Sequence, residues 1–238
     1  YCRLVTGKQK IIVIDKCYHG SVDETFATLD SRGKTVKREG NIGAPVDLSE
    51  TTRVVEFNNL AAMEKALKKG DVAAILMEPA MTNIGIVLPE PGYLEGVGAL
   101  AKKYGAVWII DETHTISVGP GGMTKKYKLK PDMLTIGKAI AGGLPTGTFG
   151  MTKAIADQIA AKVKREIVDT GGIGSTLAGN ALSAAAMRVT LKSVLNEKNF
   201  KKMIALGTRW SDGVDAAIKE FGLPWHCNRL GARGEYIF

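Results

Sequence analysis

Residues 107–143 read VWIIDETHTISVGPGGMTKKYKLKPDMLTIGKAIAGG, two apolar runs that each end in a polar functional group. The run 107–110 has the composition of a buried parallel strand and delivers Asp111 at its carboxyl end. Residues 133–136 repeat the pattern and lead into Gly137 and Lys138. Ligands of open α/β sheets bind beyond the carboxyl ends of the strands. A carboxylate and an amine 27 residues apart, both at strand ends, are therefore expected to face one ligand.

Working outward, the rhythm of strand and helix continues on both sides. Upstream, 11–14 and 72–77 are further apolar strands, and 54–57 is a shorter one. Asn58 or Asn59 can cap a helix over 60–69, which Gly70 ends. The spacing of Leu94, Val97, Leu100 and Ala101 predicts an amphipathic helix over 93–104. Downstream, 146–151 reads as a strand and 153–164 as a helix. A glycine-rich stretch, 171–180, precedes another helix through Val194. Residues 200–220 fit a long helix with an apolar stripe of Met203, Leu206, Trp210, Val214 and Ile218. Alternation of this kind implies right-handed crossovers and an α/β fold with a mainly parallel sheet flanked by helices. Residues 24–52 are polar, glycine-punctuated and aperiodic, and predict a loop excursion.

The chain resembles the class III pyridoxal-phosphate aminotransferases, the group that includes glutamate-1-semialdehyde aminomutase. The resemblance rests on the strand ending in Asp111-Glu112, the turn Lys130-Pro131-Asp132, the apolar 133–136, and Gly137-Lys138 followed by Ala139 and Gly142-Gly143. Tyr18-His19-Gly20 after the first strand and Glu78-Pro79 after the strand 72–77 extend it. It implies the large domain of a fold-type I transferase over 1–222, with its amino-terminal part missing. The start of a truncated small carboxyl-terminal domain would then occupy 223–238. The abrupt opening at Tyr1 and the stop within an apparent strand at Phe238 agree with a fragment, or the ordered part of a longer chain.

The same resemblance implies pyridoxal 5'-phosphate as cofactor and assigns roles. Lys138 would form the resting Schiff base and shuttle the proton, and Asp111 would keep the ring nitrogen protonated by charge proximity. Arginine could not replace Lys138, because it is effectively always protonated. Tyr18 would stack on the ring with His19 in support, and Thr113 would pack its methyl beneath it. Ser175 and Thr176 would meet the phosphate, Thr176 that of the neighbouring subunit, so a homodimer is implied. Glu78 and Glu112 are weaker candidates, because a carboxylate at a strand end is as often a loop organiser. Thr113-His114 and Ile116 depart from the family pattern, and His114 is a candidate donor to the cofactor's phenolic oxygen.

The implied reaction is transfer of an amino group between a small-molecule amino donor and a keto acceptor, in ping-pong half-reactions. An intramolecular aminomutase shift is the alternative, and the departure at 113–114 tilts the reading toward transamination. A non-catalytic α/β domain is weighed against both, and a buried Lys138 without such a role would carry a desolvation cost.

Other classes fit less well. The formal charge of +8 arises from basic residues interspersed with acids, without an aromatic-rich recognition motif, so a nucleic-acid partner is not expected. No run reaches the roughly 20 apolar residues of a membrane-spanning helix. Gly33-Lys34-Thr35 lacks the remainder of a phosphate-binding loop. Cys2, Cys17 and Cys227 have no metal-type spacing, no metal site is expected, and a reduced, cytoplasmic setting follows.

Overall fold

A computed structural model describes residues 1–43, 45–162 and 177–238. In chain order the strands are β1 (Lys10–Ile14), β2 (Ala27–Leu29), β3 (Thr35–Lys37), β4 (Thr52–Val55), β5 (Val72–Met77), β6 (Val107–Asp111), β7 (Met133–Gly137), β8 (Gly147–Met151), β9 (His226–Leu230) and β10 (Arg233–Ile237). The helices are α1 (Cys2–Thr6), α2 (Leu60–Leu67), α3 (Tyr93–Tyr104), α4 (Gly122–Lys126), α5 (Lys153–Lys162), α6 (Ala181–Val189) and α7 (Glu197–Glu220).

Six strands form one sheet in the order β4-β1-β5-β6-β7-β8. The first five run parallel, and β8 returns antiparallel to β7 as an edge. The central strands are apolar because both faces are covered. In β5, Val72, Ala73, Ala74, Ile75 and Met77 are all buried, and each large side chain contributes about 1.5–3 kcal/mol by leaving water. Helix α3 lays Tyr93, Leu94, Val97 and Ala101 on the core, which is the face its spacing marks. Gly105 ends it in the left-handed conformation and feeds β6. The turn before β7 is tied to β6 by the Asp132 carboxylate, which accepts the Trp108 N–H at 2.9 Å. That bond sets the register in which Asp111 lies opposite Thr135, three residues before Lys138.

Three expectations need correction. Residues 24–52 are not a plain loop: β2 and β3 form an antiparallel hairpin whose register runs from Ala27 opposite Lys37 to Leu29 opposite Thr35. Asp15 organises it, accepting the Thr28 hydroxyl at 2.7 Å and the Leu29 N–H at 3.0 Å. Three-residue strands are too short to show a period in sequence. The helix entering at Asn180 stays α-helical only to Val189, and 190–194 widens into a π-turn. Along α7, Leu206 and Trp210 are exposed while Phe200, Ser211 and Ile218 are buried, so the apolar stripe is only partly covered.

The segment 223–238 forms the β9–β10 hairpin, which packs on the body of the molecule. Ser117 donates its hydroxyl to the Leu230 carbonyl at 3.0 Å and its own carbonyl accepts the Ala232 N–H at 3.0 Å. Asn228 reaches the Ile86 carbonyl at 2.9 Å. These contacts seat the hairpin beside the Thr115–Val118 turn, immediately after His114.

Candidate active site

The carboxyl ends of β1, β5, β6 and β7 deliver every described candidate residue to one edge of the sheet. Parallel strands do this without special design, because each crossover returns the chain in the same sense.

Asp111, the last residue of β6, is buried. Its Oδ2 lies 2.8 Å from Nδ1 of His19, which follows β1 two strands away, and its Oδ1 accepts the Thr113 N–H at 2.9 Å. Burial opposes the Asp111 charge, but the hydrogen bond and charge of His19, with the Thr113 amide, outweigh it and hold the carboxyl below its ordinary value. Burial likewise disfavours a charged His19. The hydrogen bonds to Asp111 and Cys17 overcome it, raising His19 to about 10. The pair is therefore an ion pair at neutral pH, and Nε2 of His19 is buried with no hydrogen-bond partner among the described residues.

Glu78, just past the end of β5, is buried as well. It accepts the Thr82 hydroxyl through one oxygen, while the other is unpartnered among the described residues. Burial pushes its carboxyl up, against the pull of Thr82 and His19, so it retains its proton more readily than a free glutamic acid. Glu112 has a different occupation. Its carboxylate accepts the N–H of Met123 at 3.1 Å and of Thr124 at 2.5 Å, and the hydroxyls of Thr115 at 2.5 Å and Thr124 at 2.6 Å. All these partners lie in the Thr115–Val118 turn and α4, so Glu112 organises that loop. A Cβ on Gly122 would stand 2.1 Å from its Oε2 at a backbone φ of +59°, which is why glycine occupies the position.

Thr113 bridges the ends of two strands: its hydroxyl oxygen accepts the Gly137 N–H at 3.1 Å. Lys138 then takes φ 50°, an uncommon left-handed conformation for a residue with a side chain. Its Nζ lies 2.6 Å from Nε2 of His114. Lys138 is exposed, not buried, so the desolvation objection to a non-catalytic lysine does not apply. Tyr18 stands 38% exposed, its ring edge-on to Phe26 at 6.3 Å. Ser175 and Thr176 lie outside the described residues.

One participant had no signal in the sequence. Arg233, at the start of β10, brings Nη1 to 2.5 Å from Nδ1 of His114. Its Nη2 donates to the Thr82 carbonyl at 3.0 Å and to the Glu235 carboxylate. An arginine 95 residues beyond the lysine joins the site only because the β9–β10 hairpin folds back onto the Ser117 turn. His114, which with Thr113 departs from the family pattern, thus touches both Lys138 and Arg233. Burial first, then the Lys138 and Arg233 charges, lower it to about 4, with Asp111 pulling the other way.

The family model for class-III aminotransferases matches residues 1–221. The chain belongs to the class-III aminotransferase family. It is 36% identical over 230 residues to a glutamate-1-semialdehyde 2,1-aminomutase of Anaeromyxobacter dehalogenans, covering 95% of this chain and 52% of that protein. Crystal structures of a glutamate-1-semialdehyde aminomutase from Pseudomonas aeruginosa PAO1, one in complex with PMP, superpose with a TM-score of 0.95. They share 44% identity with this chain and cover all of it, and 53% of their own length. An omega-transaminase from Sphaerobacter thermophilus is more distant, with a TM-score of 0.81 and 25% identity over 97% of this chain and 53% of its own. The chain therefore spans about half the length of the relatives it matches, and it carries the large-domain fold of these transferases.

Proposed function

We propose that this chain is the cofactor-holding half of an enzyme that uses pyridoxal 5'-phosphate to move an amino group within one substrate, as in glutamate-1-semialdehyde 2,1-aminomutases. The similarity that carries the reading is 44% identity across the whole chain to an aminomutase, against 25% to an omega-transaminase. That balance favours the intramolecular shift over the transamination toward which the Thr113-His114 departure leans.

The residues present fit the cofactor. A buried, ionised Asp111 suits a protonated ring nitrogen, and the His19 pair keeps that carboxylate charged at neutral pH. Tyr18 has an exposed ring at the same edge, and Lys138 supplies an amine at the end of the neighbouring strand. When bound, the cofactor supplies a delocalised ring that accepts the electron pair left when a proton departs from a carbon beside the substrate nitrogen. The chain's part is to hold and to carry. Asp111 would keep the ring nitrogen protonated by charge proximity. Lys138 would hold the cofactor through its Nζ and would be the group that carries the substrate proton. Thr113 fixes the relative position of the two strand ends through its contact with Gly137.

Transamination between separate donor and acceptor is the second reading, and it uses the same residues. The full-length protein given glutamate-1-semialdehyde as sole substrate separates them. Conversion to the isomeric amino acid without any keto acid supports the mutase, whereas turnover that stops after one equivalent until an acceptor is added supports transamination. Absence of either reaction overturns both.

Homodimeric assembly belongs to the same proposal. Leu177, Leu182 and Val189 are exposed on and before α6, and an apolar surface of this kind suits a partner subunit. Sedimentation at micromolar concentration tests it, and a monomer at the mass of one full-length chain contradicts it. Among the described residues no helix is long and apolar enough to cross a membrane. The three unpaired cysteines suit the reducing cytoplasm, which fractionation of the source cells would check.

A further inference from the structure

His114 is flanked on both ring nitrogens by groups that ordinarily donate. Nδ1 faces Nη1 of Arg233 at 2.5 Å, and Nε2 faces Nζ of Lys138 at 2.6 Å. A neutral imidazole has one N–H and one lone pair, and an imidazolium has two N–H groups and no acceptor. The imidazolium would oppose donors on both sides, and burial disfavours its charge. Between the two neutral forms the choice belongs to the neighbour that cannot change. A guanidinium never gives up its proton in a protein, whereas an amine can. Nδ1 must therefore accept from Arg233, the ring hydrogen sits on Nε2, and that N–H points at Nζ.

We propose that Arg233 fixes the tautomer of His114 and, through it, holds Lys138 as a hydrogen-bond acceptor, with Nε2–H donated to the lone pair of Nζ. Arg233 and His114 are thereby positioning residues for Lys138, a role that rests on the reading of Lys138 as the cofactor-holding amine. A lone pair is what an amine needs to attack a carbonyl carbon. The remaining surroundings are compatible. Glu235 and the Thr82 carbonyl anchor the other end of Arg233, and Asp111 is the nearby carboxylate that acts on His114 without bonding it. Glu235 offsets the Arg233 charge beside the site. This device replaces the contact to the cofactor's phenolic oxygen expected of His114, since both of its ring nitrogens are already engaged.

The test uses full-length protein freed of cofactor and labelled with ¹⁵N-histidine, with the His114 signal identified by its loss in His114→Gln. Long-range ¹H–¹⁵N correlations distinguish Nε2–H from Nδ1–H directly. The native protein is expected in the Nε2–H form at neutral pH. In Arg233→Met, Lys138 becomes the only donor beside the ring, and the signal switches to Nδ1–H. Acetylation of Lys138, followed by mass spectrometry, slows about tenfold in Arg233→Met. An Nδ1–H ring in the native protein, or an Arg233→Met variant with unchanged tautomer and unchanged acetylation, overturns the proposal. Neither readout involves the cofactor. If borohydride fails to trap the cofactor on Lys138, the proposed function fails while the tautomer assignment is judged separately.

Discussion

The ends of β6 and β7 lie side by side in the sheet, and they are built in opposite ways. At the end of β6, Asp111 and Glu112 are buried and bonded to His19, Thr113, Met123, Thr124 and Thr115. At the end of β7, Lys138 is exposed, left-handed in its backbone, and held through one histidine. The first region is a preorganised charge whose cost of burial is offset by fixed donors. On the proposed function, the second carries a group that would change partners during the reaction, and exposure leaves it free to do so. On that proposal, stability is concentrated at one strand end and reactivity at the other.

If this division is right, substitutions at the two ends should separate activity from stability. Lys138→Ala has the largest expected effect on turnover, a loss on the order of 10³-fold or more in kcat of the full-length enzyme. Retained turnover would break the comparison at its reactive end. Glu112→Ala should lower folding stability by about 3 kcal/mol, because it leaves two backbone N–H groups and two hydroxyls without their acceptor. Denaturant unfolding measures it, and a midpoint equal to that of the native protein would contradict the role given to this carboxylate.

The ion pair between His19 and Asp111 makes a sharper prediction. His19 is raised from 6.5 to about 10, so its contribution is fully present below pH 6.5 and is lost as pH climbs toward 10. Asp111 is lowered from 3.8, so its contribution is present above that value and is lost as pH falls through its folded value. Stability should therefore form a plateau from about pH 4 to 6.5, falling on both sides. In Asp111→Asn the alkaline slope should flatten, which melting temperatures across the range would show. The smallest effect belongs to the stability of Lys138→Met, within about 0.5 kcal/mol of the native protein, as expected of an exposed side chain.

Much of this fold was legible in the sequence because parallel strands and their helices leave strong local patterns. β5, β6, β7 and α3 lie where apolar runs and three- and four-residue steps put them. The placement of Asp111 and Lys138 at strand ends was legible for the same reason, each following an apolar run. The hairpin of β2 and β3 was not, since its three-residue strands are too short to show a period and are tied down by Asp15, which lies outside them after β1. Exposure of Lys138 was equally hidden, because the apolar composition of a strand says nothing of the left-handed residue after it. Arg233 could not be read at all. Its place depends on the Ser117 turn receiving the β9–β10 hairpin, a contact between segments 113 residues apart.

The most direct measurement is borohydride reduction of the full-length protein after reconstitution with pyridoxal 5'-phosphate, followed by digestion and mass mapping. The account predicts a single reduced adduct on Lys138, diminished in Asp111→Asn. An adduct on another lysine such as Lys153, or none after reconstitution, would contradict it.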